Sequence, residues 1–110
     1  MDSNTFSALS QPSRFQIVEL LRNGPRPVGE ISLRLKLNQP QTSKHLRVLA
    51  DAGIVDVKPL AQQRIYGLSP KRFAQLDNWI SSYRRIMELR FYRLDKLLSK
   101  EKNKLKGGVK

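Results

Sequence analysis

Between Gln39 and Arg47 the chain sets Gln39, Gln41, Thr42, Ser43, Lys44, His45 and Arg47, a run of polar and cationic side chains within one short segment. Gln can pair bidentately with adenine and Arg with guanine, while Ser and Lys reach base edges or phosphates. The segment is a candidate reader of duplex DNA; the plainer alternative is a solvated polar helix face. His45 is the one histidine of the chain. Two roles stay open for it: a hydrogen bond to a phosphate or base, or a buttress to the turn through a neighbouring carbonyl. Downstream, Lys58, Gln62, Gln63 and Arg64 make a second candidate cluster, able to follow a phosphate backbone. Arg64 leads it, being cationic and next to the tip of a predicted hairpin, and the alternative is an ordinary exposed hairpin with Tyr66 in the core.

Other chemistries lack their parts. Cysteine is absent, which excludes disulfides, thiolate metal sites and cysteine redox sensing. A structural zinc site needs about four Cys or His ligands, and here one histidine stands among scattered carboxylates, so no metal and no cofactor is expected. There is no nucleophile-base pair and no glycine-rich phosphate loop, so the chain does not read as an enzyme.

The candidate readers need elements to hold them. Ser10-Gln-Pro-Ser13 predicts a helix start with Ser10 as its cap, followed by the apolar positions Ile17, Leu20 and Leu21 and a stop at Asn23-Gly24-Pro25. Val28, Ile31 and Leu35 then recur at helical spacing, and after a break at Lys36-Leu37-Asn38 a further helix, capped by Asn38, runs to about Ala52 and stops at Gly53. Two short helices joined by a tight turn outline a helix-turn-helix. On the second of them Thr42, Leu46 and Leu49 share a narrow sector, while Gln41, Lys44 and Arg47 point away. Ile54–Leu60 and Arg64–Leu68, separated by Ala61-Gln62-Gln63, predict a β-hairpin, the candidate wing.

Ser69-Pro70 opens the longest periodic segment, about Lys71 to Lys100. Phe73, Leu76, Ile80, Tyr83, Met87, Leu94 and Leu98 step along it by threes, fours and sevens, with Trp79, Ile86 and Leu97 on an adjacent line. Such a helix is on the order of 45 Å long at 1.5 Å per residue, more than a domain of about 70 residues can cover. Its leftover apolar face, which includes Phe91, predicts a homodimer seam, although an aromatic ligand pocket around Trp79 and Tyr83 can also be drawn. Residues 1–100 are thus expected to form one DNA-binding and dimerisation domain, and the Lys-rich residues 101–110 a disordered tail.

Charge agrees with a polyanionic partner. The chain has 21 Lys+Arg and 9 Asp+Glu, a formal net charge of +12 over 110 residues. Such a surface attracts nucleic acid or anionic lipid without choosing between them. RNA readers usually display aromatic platforms on a sheet, whereas most aromatics here sit at core-like spacing on the long helix. Residues 1–10 lack the marks of a signal peptide, and no run approaches the roughly 18 apolar residues of a membrane span, so a cytoplasmic protein without a membrane partner is expected.

Several stretches resemble the arsenic-repressor (ArsR) type of winged-helix regulators: Ala8-Leu-Ser-Gln-Pro-Ser-Arg14, Val28-Gly-Glu-Ile31, Gln39-Pro-Gln-Thr-Ser-Lys-His-Leu-Arg-Val-Leu49 and Ala52-Gly-Ile-Val55. The resemblance implies a mostly α winged helix-turn-helix fold with a small β-hairpin and a long C-terminal dimerisation helix. It also implies a homodimeric repressor, often of its own operon, acting on pseudo-palindromic double-stranded DNA, and it brings Phe6 and Leu9 into the seam. Where many metal sensors of that type carry a Cys-x-Cys-like motif, this chain reads Glu30-Ile-Ser-Leu-Arg34, and its last helix has Asp77 but no histidine. The resemblance thus points to a metal-independent member whose effector, protein or small molecule, no residue identifies. A non-specific DNA or RNA binder, or a repressor controlled by a protein partner, remains the alternative. At Lys36 the family often has glycine, so a positive φ is expected there at a cost of about 1 kcal/mol.

Overall fold

The computed structural model describes residues 3–108, with side chains through Lys102. The elements are α1 (Ser3–Leu9), α2 (Pro12–Leu21), β1 (Arg26–Pro27), α3 (Val28–Leu35), α4 (Gln39–Asp51), β2 (Val55–Leu60), β3 (Gln63–Leu68) and α5 (Pro70–Gly108). They fall into two units, one ending at Leu76 and one beginning at Asp77.

Local rules explain most boundaries in the first unit. The cap of α2 is Gln11, one residue later than expected: its side-chain oxygen accepts from the Arg14 N–H at 2.9 Å. Ser10 instead donates its hydroxyl to the Ser7 carbonyl at 2.7 Å, serving an orphan carbonyl at the end of α1. Asn38 caps α4 by accepting from the Gln41 N–H at 2.8 Å, with Pro40 in the first turn where its missing N–H costs nothing. Ser69 does the same for α5, accepting from the Arg72 N–H. Both helices flanking the tight turn end in the left-handed manner. Lys36 has φ 55° and Gly53 φ 76°, and in each case the next residue's N–H reaches back five positions, Leu37 to the Ser32 carbonyl and Ile54 to the Leu49 carbonyl.

The hairpin turn is tighter than expected. Leu60 pairs with Gln63, leaving Ala61 and Gln62 as a two-residue loop, and Ala61 takes the positive φ of 55° that such loops demand at their first position. A strand absent from the sequence reading completes the sheet, in the order β1-β3-β2, all antiparallel. Arg26 and Pro27 form it by pairing with Tyr66 and Ile65. A two-residue strand has no periodicity to detect. Pro59 lies on the edge strand β2, where a residue without an N–H is tolerated.

The core consists of Ala8, Ile17, Val18, Leu21, Ile31, Leu46, Leu49, Ile54 and Val55. α1, α2, α3, α4 and the hairpin thus each contribute, which holds the helix-turn-helix and the wing in one frame. Leu9, Tyr66 and Phe73 are packed partly against it, so the seam candidates Leu9 and Phe73 are half-buried within the single chain.

The second unit consists of the later part of α5. Trp79 and Tyr83 meet edge to face at 5.1 Å, and the Lys96 ammonium lies 4.9 Å from the Tyr92 ring centre. The backbone is helical past Lys100, the expected boundary, because Glu, Lys and Leu are good helix formers and no glycine intervenes before Gly107. Most side chains of the expected tail lie outside the described residues. No described helix is long and apolar enough to cross a membrane.

Candidate nucleic-acid interface

On α4, positions four apart share a face. Thr42, Leu46 and Leu49 are buried, Gln39, Ser43 and Arg47 form one exposed flank, and Gln41, Lys44 and Val48 form another. The first flank looks into a groove of about 770 Å³ between α4 and the hairpin, where Gln62, Gln63 and Arg64 of the wing face it. Pro27, Val28 and Gly29 at the start of α3, with Ala50, Val57 and Tyr66, complete the lining. None of the lining residues is acidic, and Arg47 and Arg64 make no ion pair among the described residues. A groove that holds unpaired guanidiniums beside amide and hydroxyl side chains offers phosphate and base-edge contacts together.

Five expected site residues, Gln41, Thr42, Lys44, His45 and Lys58, do not line this groove. Thr42 is completely buried, and its hydroxyl donates to the Asn38 carbonyl at 2.9 Å, so it serves the start of α4. Lys58 pairs with Ile65 and lies on the opposite face of the hairpin, beside Pro25, Pro59 and Leu60. A one-residue step along a strand reverses the face, which a count of basic residues does not register. Gln41 and Lys44 are exposed on α4 but outside the groove.

His45 is half-buried on the flank of α4 toward α2. Its Nδ1 lies 3.5 Å from Arg14 Nη1, and Arg14 Nε donates to the Ala8 carbonyl at 2.6 Å. Burial, and secondly the Arg14 charge, hold the imidazole below the ordinary histidine value of 6.5, so the ring is neutral at pH 7. The expected bond from His45 to a neighbouring carbonyl is not seen among the described residues; its ring meets the Arg14 side chain of α2. Arg14 was missed as a site residue. It belongs to a motif visible in the sequence, but nothing in the spacing ties it to a ring 31 positions away.

The expected seam is exposed in the single chain. Ile80, Tyr83, Met87 and Leu94 are 46%, 49%, 43% and 47% exposed, and Phe91 is 63% exposed. Trp79 and Phe6 are about two-fifths exposed, at 39% and 43%, while Leu76 is half-buried.

Residues 11–57, from the cap of α2 into β2, match the family described as bacterial regulatory protein, arsR family. Over 71 residues, 64% of this chain, it is 39% identical to an HTH-type transcriptional regulator of Mycobacterium tuberculosis. The crystal structure of the transcriptional repressor BigR from Xylella fastidiosa is similar at a TM-score of 0.60 and 33% identity, over 74% of this chain and 83% of that one. The chain belongs to the arsR family of bacterial regulatory proteins. Its fold is the winged helix-turn-helix, shared with a homodimeric DNA-binding domain from Mycobacterium bovis at a TM-score of 0.64. That likeness, at 24% identity over 76% of this chain and 77% of the other, is one of fold alone. The match to the M. tuberculosis regulator spans 66% of that protein's length, just under two thirds. As an arsR-family protein the chain belongs among regulators, not enzymes. The family match includes the recognition helix but ends before the wing tip and α5. Among the described residues, no group of three or more His, Cys, Asp or Glu is placed to hold a metal ion.

Proposed function

We propose that this chain is a homodimeric repressor that reads a pseudo-palindromic duplex operator with α4, grips the flanking backbone with the β2–β3 wing, and responds to a signal other than a metal held by its own side chains. The groove carries this reading: it sets Gln39, Ser43 and Arg47 of the helix against Gln62, Gln63 and Arg64 of the wing, with no carboxylate to repel phosphate. The seam is the exposed apolar face of α5, closed by a second copy. Repression is steric. Two recognition helices occupy successive major grooves about 34–36 Å apart on one face of the DNA, and the bound dimer blocks initiation, at the chain's own promoter among others. Support for metal independence comes from the ligand inventory, with no cysteine and a single histidine.

Selection of bound fragments from genomic DNA, followed by footprinting, tests the proposal. An inverted repeat with half-sites one helical turn apart is the expected product. Equal affinity for selected and scrambled duplexes at every salt concentration rules out sequence reading, and tighter binding of structured RNA transfers the groove to another ligand. Zinc, cadmium and arsenite are expected to leave the protein-DNA complex intact; stoichiometric release by any of them would overturn metal independence.

A further inference from the structure

The contact between Arg14 and His45 joins three elements. Arg14, near the start of α2, donates through Nε to the Ala8 carbonyl in the last turn of α1, and its Nη1 faces His45 Nδ1 on the recognition helix at 3.5 Å. Guanidinium has five N–H donors and no acceptor. An imidazole nitrogen that faces it must therefore offer a lone pair, which leaves the ring proton on the other nitrogen. The identity of the protonated nitrogen is set by the partner of its neighbour.

We propose that Arg14 is a positioning residue for His45: it keeps Nδ1 unprotonated, so that the recognition helix carries a neutral ring with a fixed Nε2–H donor for a DNA phosphate. This rests on the reading of α4 as a duplex-DNA reader. Among the elements packed on α4, α1 has no ionisable side chain. Glu19 of α2 is bonded to Arg22, which follows that helix; Glu30 of α3 is bonded to Arg26 and Arg34. Asp56 and Lys58 of β2 lie exposed on the hairpin. Lys44, Arg47 and Asp51, on α4 itself, are exposed, and Asp51 lines a cavity together with Ala8 and Arg14. Arg14 is the charge that bears on the ring. Protonation of Nδ1 would set two cations face to face and break the tie to Ala8, so acidification disorders the donor that the neutral ring presents.

Because His45 is the only histidine, its ring nitrogens can be followed without assignment by ¹H–¹⁵N NMR on the unaltered free protein. The expected spectrum is that of the Nε2–H tautomer, titrating below 6.5. Arg14→Gln should move the titration upward and mix the tautomers. An Nδ1–H tautomer, or a titration unmoved by Arg14→Gln, overturns the proposal whether or not DNA is bound. Operator binding supplies the second readout. His45→Gln, whose amide N–H reaches the Nε2 position, should stay within about threefold of the parent, and His45→Asn, which is too short, should bind about tenfold more weakly, as expected for one lost hydrogen bond. Operator affinity of the parent should fall as pH drops through the His45 titration, while that of His45→Gln stays level. A rise on acidification would show that His45 acts as one more cation, which also overturns the proposal. Absence of operator binding by the parent protein refutes the DNA reading instead, and the NMR outcome still stands by itself.

Discussion

Lys36 occupies a left-handed position, φ 55°, at the end of α3. A side chain there meets a steric penalty that glycine escapes. Lys36→Gly should therefore raise unfolding stability by up to about 1 kcal/mol, while Lys36→Ala should not; chemical denaturation of the three proteins measures the difference. His45 contributes in a pH-dependent way. Its pKa in the fold lies below the ordinary 6.5, so between the two values the unfolded chain binds more protons than the native one and stability rises with pH. The contribution is fully present above 6.5 and is lost as pH falls through the folded value. Denaturation midpoints of the parent and His45→Gln should converge at acid pH and separate above it; parallel curves would show that the imidazole is unperturbed.

At the scale of elements, the proposed reading gives α4 and the wing different tasks. Base-edge contacts carry sequence information and phosphate contacts mainly carry affinity. Gln41→Ala and Arg47→Ala should relax preference at particular operator positions, by about 1–3 kcal/mol for a good bidentate contact. The structure separates this pair, since Arg47 lines the groove and Gln41 lies on the other exposed flank, so they should affect different base pairs. Arg64→Ala, at the wing, should weaken operator and random duplex alike. If Arg64 meets one phosphate per subunit, its loss from both halves of a dimer should reduce the magnitude of the slope of log K against log[salt] by about 2. Titrations of both duplexes across a salt series decide the matter. Uniform losses for Gln41→Ala and Arg47→Ala would mean that α4 is not the reader.

For the whole molecule, the proposed seam is the exposed face of α5. Ile80 and Met87 are nearly half exposed in the single chain, and burying that remaining area in a seam contributes about 0.7–1.5 kcal/mol each, half the value for a fully exposed side chain. Ile80→Glu with Met87→Glu should yield monomers and abolish operator binding, because one half-site supplies too few contacts. Analytical ultracentrifugation reads the first effect and a binding titration the second. A compact parent monomer at micromolar concentration would refute the seam.

Much of this was legible in the chain itself. The stop at Gly53, the cap Asn38, the helix start at Ser69-Pro70 and the inward positions Leu46 and Leu49 follow from rules acting over a few residues, where side-chain chemistry and helical period suffice; the positive φ at Lys36 followed from the family resemblance. The absence of cysteine and the single histidine limited the chemistry without any coordinates. Only the tertiary structure decided what depends on distant partners. β1 exists because Arg26 and Pro27 pair with residues some forty positions downstream. Thr42 was read as a candidate contact and is buried; Lys58 was read as part of the wing's grip and faces away from the groove, because polarity and charge do not encode which face the core covers. Arg14 and His45 meet across 31 positions. Periodicity is a local property, whereas the grouping of side chains around the groove is set by how the elements pack, and no short window of sequence contains that packing.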